Sequence, residues 1–568
     1  MKKLVLALFA LALMFVITAC GGESDSTTNA PAPTTADSDV LVDSEVAALL
    51  EEWNLPAPRF TPDGDIPSWQ QDYDHPGVLT WYINYTWWET LPFGDDVVTR
   101  QMKTDMGITI EFIAGGIDNL NTMLATGDMP DIITMGGYLD LANQGAEFSI
   151  PLDVLAKVYD PYFLEHAANS QLVAWHTDQD TGYLYGFPNF AYTADDIAAG
   201  LVFGNVGMMV REDIFEAIGS PNMSTPEGFL QALRDASDYM PLNDDGATLV
   251  PFAGHAMDII SGGDGAFGGT LQDFLAIPFL DDAGNFYDRD AHEEYLEWLL
   301  VFRQALEEGL MNNDQFSFGD DQMEEIHMRG TYFVWLSPNL NSVTHVLSAN
   351  SIRNPEQGYI PISGPRNRDG ADHTLPAGGL GGWVRTFVTR SANDPQTAMQ
   401  VITYLVSEHG NIVQQFGVEG ETFEWVGTDA VFFDEVQDVR DNDYAQWNRE
   451  FGMGRYWMLA SSAFGNSIGN QPNIAIYPHS RFAQQFNQSR FEMTDIEPSG
   501  GTSLGMDLSN LNAARAEAIV AVIQASSNEQ GEQIWQSFLD SRSNFNFDQI
   551  MEYRNASIQS NRVRLGME

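Results

Sequence analysis

Three stretches have residue types that could do covalent or cofactor chemistry. Gly465-Asn466-Ser467-Ile468-Gly469 has the spacing of a nucleophile elbow, where a strained strand-to-helix turn raises a serine hydroxyl. The preceding residues, Leu459 to Phe464 (LASSAF), make a poor strand, and no histidine is placed beside them, so a hydrolytic serine is not expected. Gly263 to Gly268 (GDGAFG) has the glycine spacing of a dinucleotide loop, but no strand–helix–strand pattern surrounds it and it reads as a plain loop. The 10 histidines form no HExxH pair, and His292-Glu293-Glu294 reads as the solvated face of an acidic helix.

Stacking chemistry is better supplied, with 13 Trp, 19 Tyr and 34 Phe. A flat indole or phenol face suits the apolar C–H face of a sugar ring, whose hydroxyls then need polar side chains around the rim. Where these residues fall depends on the elements that carry them. Val78 to Tyr82 (VLTWY), Ile108 to Ile113 (ITIEFI) and Asp131 to Met135 (DIITM) are β-rich, with helices predicted over Asp95–Gly107 and Asn119–Ala125 between them. Asp95 is the expected N-cap of the first helix, and Gly107 its stop. Alternating strands and helices predict a largely parallel sheet with a ligand crevice at its carboxyl ends. Asn84, Trp87 and Trp88 follow the first strand, and Gly136-Gly137-Tyr138 the third. Thr225-Pro226 and Asp394-Pro395 each read as an N-cap followed by Pro at N1.

Composition narrows the function classes. The 568 residues carry 80 Asp+Glu against 26 Lys+Arg, a net charge of −54, so gripping nucleic-acid phosphates or docking by a polybasic patch is excluded. With one Cys there is no disulfide framework and no thiolate cluster. That cysteine, Cys20, follows Lys2-Lys3, an apolar run from Leu4 to Ile17, and Thr18-Ala19. The run is too short to span a membrane comfortably and suits a signal peptide over residues 1–19. The cut site resembles the lipobox of bacterial lipoproteins, where the Cys thiol takes up diacylglycerol and two acyl chains give durable attachment. Residues 20–50 are then the lipidated Cys and a flexible linker rich in Ser, Thr, Pro and Asp, with the folded part beginning near Gly77. The acidity itself fits a salt-rich or alkaline exterior, where carboxylates keep a surface hydrated.

A series of segments, in order, resembles the extracellular family 1 solute-binding proteins of ABC importers, the maltose-binding-protein-like group. Leu124 to Ile133 (LATGDMPDII), Gly182 to Pro188 (GYLYGFP), Val210 to Phe215 (VREDIF), Thr225 to Phe229 (TPEGF) and Gly330 to Trp335 (GTYFVW) match in turn. Gly381-Gly382-Trp383, Ser391 to Pro395 (SANDP), Tyr404 to Gly410 (YLVSEHG) and Gly417 to Trp425 (GVEGETFEW) follow, the last resembling the larger oligosaccharide-type members. The resemblance spans about 76–560.

It implies an α/β, two-lobed periplasmic-binding-protein-like fold of type II, with lobes joined by hinge crossings and closing on a ligand held in the cleft between them. Lobe one is placed at 76–195 with 370–425, and lobe two at 196–369 with 426–568. Tyr185, Trp335, Trp383 and Trp425 join Trp87, Trp88 and Tyr138 as ligand-facing aromatics, with Asn84, Arg385 and Glu421 as polar partners. The implied function is capture of a carbohydrate, in our reading a neutral oligosaccharide because a chain at −54 repels acids at range. The implied partners are that ligand, the transmembrane subunits of an ABC permease, and the membrane through the Cys20 anchor on its extracellular face; no nucleic acid is involved and a monomer is expected. Some larger members carry a calcium loop before the segment matching Val250-Pro251-Phe252. Here Asn243 and Asp245 supply oxygens, but position 1 is Pro241 and position 12 is Phe252, so calcium is doubtful and no cofactor is expected. An anchored glycoside hydrolase or a surface adhesion module stand as alternatives; the first needs a pair of carboxylates about 5–10 Å apart, for which the sequence offers no motif.

Overall fold

A computed structural model describes residues 43–71, 77–243, 245–254, 265–353 and 355–567, all within one compact unit, Val42–Glu568. Cys20 and the leader lie outside the described residues, as do Gly263, Asp264 and Asp244.

Two sheets organise the chain. The first contains β1 (Leu79–Ile83), β2 (Ile110–Ala114), β3 (Ile132–Gly136), β4 (Ser149–Ile150) and β5 (Gly186–Pro188). The second contains β6 (Gly207–Arg211), β7 (Val250–Gly254), β8 (Tyr332–Ser337) and β9 (Tyr359–Ile362). After the short β10 (Leu375–Pro376) the chain returns to the first sheet as β11 (Val384–Thr389), then forms a hairpin, β12 (Phe423–Val426) with β13 (Asp429–Phe432). Finally β14 (Asn487–Gln488) pairs with β10.

Sheet one runs β2-β1-β3-β11-β4, with β5 also on β11. β1 pairs parallel with β2 and β3, as the alternating pattern predicts, but β11 is antiparallel to β3, β4 and β5. Sheet two runs β7-β8-β6-β9 and is parallel only between β7 and β8. The expectation of largely parallel sheets is therefore corrected to mixed ones, because each sheet takes in strands that return from the other lobe instead of from an adjacent helix. Both faces of β1 are covered: Trp81 and Ile83 enter one apolar cluster and Tyr82 another, which is why the strand reads as continuous apolar sequence.

Helix starts follow the local signals, with one shift. Thr225 accepts from Gly228 N–H at 3.2 Å and Asp394 from Thr397 N–H at 3.0 Å, each with Pro at the first position. For Val97–Met106 the cap is Asp96, not Asp95: buried Asp96 accepts from Thr99 N–H at 2.8 Å and from the Tyr456 hydroxyl at 2.7 Å. Gly107 ends the helix at φ 67°.

The first sheet's core takes in residues from Trp69 to Ala191 and from Leu380 to Leu459, and the second sheet's core residues from Val206 to Leu375 and from Ile476 to Ile550. The expected return to lobe two at residue 426 is thus too early. Phe432 stacks on Phe416 at 5.4 Å, and Trp447 packs edge-on to Phe432, which keeps the hairpin and the segment to Leu459 on lobe one. The chain crosses between sheets over 189–206, 363–383 and 460–475.

Residues 43–71, ahead of the expected start near Gly77, are also folded. Asp43 caps the helix Ser44–Glu52, whose Val46, Leu49 and Leu50 pack on the lobe-one core. Beyond it Pro56 O accepts from the Tyr159 hydroxyl, Arg59 Nη1 donates to both Asp394 carboxylate oxygens at 2.8 Å, and Ser68 bonds buried Asp160. Among the described residues no helix is long and apolar enough to cross a membrane.

Candidate functional site

The carboxyl edge of sheet one gathers rings from five chain segments. Asn84 N–H donates to Thr134 O at 2.9 Å, and Tyr85 N–H turns back to Ile83 O at 2.8 Å. The chain therefore bends off β1 and lays Tyr85 and Trp87 over the strand ends. Beyond β3, Gly137 N–H donates to Trp383 O at 2.8 Å, which fixes Trp383 beside them.

Buried Asn189, on the first crossing, ties the remaining pieces together. Its Oδ1 accepts from Val384 N–H at 2.9 Å, and its Nδ2 donates to Trp457 O at 2.9 Å. Gly382 passes so close that a Cβ there would lie 2.3 Å from Asn189 O, and its φ of 68° is left-handed, so only glycine fits. The next residue, Phe190, adopts φ 44° without being glycine and is held by a 3.0 Å bond from its N–H to Ala460 O. Such strain costs on the order of 1–3 kcal/mol and persists only where the surroundings impose it.

Trp383 is the hub of the resulting platform. Its ring centroid lies 4.6 Å from Trp457, 5.2 Å from Tyr85, 6.3 Å from Trp87 and 6.5 Å from Phe190, the last two nearly parallel at 6° and 3°. Trp87 is 62% exposed and Tyr138, beside Tyr85, 71% exposed, so the platform presents open aromatic surface. One buried polar atom at its base, Asn84 Oδ1, has no hydrogen-bond partner among the described residues, and the Tyr85 hydroxyl meets the Tyr138 phenol. Burial, then the neighbouring Tyr138 phenol, push the Tyr85 hydroxyl well above the usual tyrosine range, so it stays protonated.

Of the sequence candidates, Asn84, Trp87, Tyr138 and Trp383 thus come together. The others do not. Trp88 is core: it points away from Trp87, donates to Arg455 O at 3.2 Å and packs on Phe112 and Tyr456. Trp335 is 0% exposed on the central strand of sheet two, stacked on His327 at 4.5 Å. Glu421 pairs on the surface with Arg100 of the helix Val97–Met106, and Trp425 lies on the β12–β13 hairpin against Phe423 alone among rings. Tyr185 and Arg385 line a separate cavity of about 310 Å³. Asn243 Oδ1 accepts from Asp245 and Ala247 N–H, closing a tight turn, and its Nδ2 donates to Thr331. Among the described residues no group of three or more His, Cys, Asp or Glu side chains converges as a metal cage. Ser467 sits in a short helix, Ser462–Ser467, with its hydroxyl turned to Phe464 O, and no strand precedes it.

Tyr85, Phe190 and Trp457 were missed. Tyr85 lay in plain view between Asn84 and Trp87, whereas Trp457 fell in a stretch assigned to the other lobe.

No protein-family model matches the sequence, and no curated protein matches it. Solved structures do match over most of their length. The alginate-binding protein AlgQ2 without calcium ion is 17% identical, with a TM-score of 0.60 over 86% of this chain and 98% of its own. A solute-binding protein associated with an HMO-binding ABC transporter, from Bifidobacterium longum infantis, is 13% identical with a TM-score of 0.62 over 85% and 99%. The S. pneumoniae ABC-transporter substrate-binding protein FusA in complex with kestose is 12% identical with a TM-score of 0.63 over 86% and 100%. The chain has the two-lobed α/β fold of these solute-binding proteins.

Proposed function

We propose that this chain is the substrate-binding component of an ABC importer, a large oligosaccharide-type member of the family 1 solute-binding proteins, held outside the cell by a lipid on Cys20. It captures a neutral oligosaccharide and delivers it, chemically unchanged, to the membrane permease. The observation that carries this reading is the platform around Trp383: a parallel-ring surface with an unmatched amide oxygen at its base and the Tyr85 and Tyr138 phenols beside it is what a pyranose, apolar on its faces and hydroxylated at its rim, requires. The solved structures of like fold include proteins described as binding alginate and kestose, which agrees in class. Three chain crossings between the sheets would let the lobes close, provided the guest binds the closed form more tightly than the open one.

Titrating the purified protein with neutral oligosaccharides of two to five residues, with tryptophan emission as the readout, tests the proposal. Saturable micromolar binding, about −8 kcal/mol, with recovery of intact sugar supports it. Cleaved sugar, or no response to any neutral oligosaccharide, overturns it.

A further inference from the structure

The cavity holding Tyr185 and Arg385 has no role in the stacking platform. Its wall on lobe one is the face of β11 together with the helix Ser170–His176, and its far wall is formed by Asp495, Asn561 and Arg564 from the C-terminal part of the chain. At about 310 Å³ it sits at the lower end of the range for small-molecule sites, roughly 300–1,000 Å³.

Two of its polar atoms are buried and unmatched: Nε of Arg385 and Nδ1 of His176. Arg385 directs Nη1 to Asn143 Oδ1 at 2.9 Å, so the fork formed by Nε and Nη2 is left with a single 3.5 Å contact, to Asp495 Oδ2. That fork is the edge of a guanidinium that receives a carboxylate with two parallel bonds. The other acids lining the cavity do not fill it. Asp178 accepts from its own turn, at Asp180 N–H and Thr181 N–H, and Asp180 is exposed. His176 bonds Leu380 O at 2.8 Å through Nε2; a carbonyl only accepts, so Nε2 carries the proton and neutral Nδ1 is a bare acceptor. Burial first, then the nearby Arg385, hold this imidazole down at about 3, which keeps it neutral.

A cationic fork beside a bare acceptor calls for a ligand with a carboxylate and an adjacent hydroxyl. We propose that this cavity binds a hydroxy-carboxylate, the acid group on the Nε–Nη2 edge of Arg385 and the hydroxyl donating to Nδ1 of His176. The ligand is a sugar acid, arriving either free or as the acid end of a longer saccharide. The repulsion set by the net charge of −54 slows approach over about a Debye length but leaves the local fork intact.

The test is calorimetric titration of the full chain with D-glucuronate, D-glucose and acetate, and with a tetrasaccharide ending in glucuronate. Glucuronate should bind about tenfold or more tightly than glucose, which lacks the acid, or acetate, which lacks the hydroxyl. Arg385→Gln and Arg385→Lys should each weaken glucuronate by about tenfold or more, the lysine because a point charge cannot form the fork. A tetrasaccharide binding more tightly than free glucuronate identifies the longer saccharide as the source, and equal binding identifies the free acid; both support the site. Glucose binding as well as glucuronate, or both variants binding glucuronate like wild type, overturns it. Repeating the titration with a neutral oligosaccharide already bound separates the two readings: undiminished glucuronate binding shows independent sites, and absence of neutral binding alone would refute only the stacking proposal.

Discussion

Replacing Trp87 by alanine is the sharpest probe of the platform, because this ring is 62% exposed and removing it should leave the fold nearly intact. In the free protein it contacts Tyr85 at 5.1 Å, Trp457 at 5.9 Å and Trp383 at 6.3 Å. These contacts are solvated on the outer side, and their loss should cost under about 1 kcal/mol of stability. A tryptophan buries up to ~250 Å², so the 62% still open leaves about 150 Å² for a guest, of which one ring face is about half. At ~25 cal/mol per Å² that face is worth about 2 kcal/mol, a thirtyfold change in Kd. The assay is isothermal titration with whichever neutral oligosaccharide binds the wild type, beside thermal unfolding of both proteins. Trp425→Ala, on the hairpin, is the matched control and should leave Kd within about twofold. A Trp87→Ala protein that melts like wild type and binds within threefold of it would refute the stacking argument.

Trp335→Ala should do the reverse, lowering stability by about 3–5 kcal/mol with Kd unchanged, because this ring fills the core of sheet two; a large loss of affinity in a folded variant would return it to the site. Asp160 gives a pH signature. Burial raises its carboxyl from 3.8 to about 6 in the folded state, so its stabilising contribution is complete below 3.8 and disappears as pH rises through 6. Asp160→Asn should therefore gain on wild type by up to about 3 kcal/mol between pH 4 and pH 7 in denaturant unfolding; a gap independent of pH would show that Ser68 solvates the carboxylate well enough to cancel its burial. Arg59→Ala should loosen the strap over 43–71, making it cleavable by proteases such as chymotrypsin at a concentration that spares the wild type, since Arg59 Nη1 ties that strap to Asp394, the N-cap of the helix Pro395–Val406.

Periodic elements were legible because their signals are local. The Thr225-Pro226 and Asp394-Pro395 starts and the Gly107 stop each depend on four or five consecutive residues. The strap over 43–71 was equally legible, with Val46, Leu49, Leu50 and Trp53 at helical spacing, but a Ser- and Pro-rich approach to it led to a linker reading. The site divided along a different line. Residues that follow a strand end, Asn84, Trp87 and Tyr138, could be placed from the strand alone. Trp87 and Trp88 are adjacent and identical in type, yet a single turn sends one outward and the other under Arg455, and nothing in the local sequence decides which. Trp457 and His176 reach their places through side-chain-to-backbone hydrogen bonds with residues more than 200 positions away, a relation no window of sequence contains.

Several of the 26 basic residues, set against 80 acids, serve as internal fasteners. Arg289 meets Asp273, Arg515 meets Asp290 and Arg542 meets Asp288, in pairs whose side chains are at most 28% exposed and some of which join segments over 200 residues apart. Arginine suits this use because its planar fork takes a carboxylate with two bonds, as Arg542 does on Asp288 at 2.8 Å twice. With 80 acids against 26 basic residues, most carboxylates have no cation to pair with, and those on the surface repel one another. Salt acts differently on the two sets: raising it from 0.1 M to 1 M shortens the Debye length from about 10 Å to about 3 Å, which removes repulsion between exposed acids while scarcely touching the pairs shielded inside. The unfolding midpoint should therefore rise with sodium chloride, and most of the rise should be complete by about 0.5 M, where screening is nearly spent; simple salting-out would instead keep climbing in proportion to concentration. A midpoint that falls with salt would mean that the ion pairs outweigh the surface repulsion, and the division of labour between buried arginines and exposed acids would have to be given up.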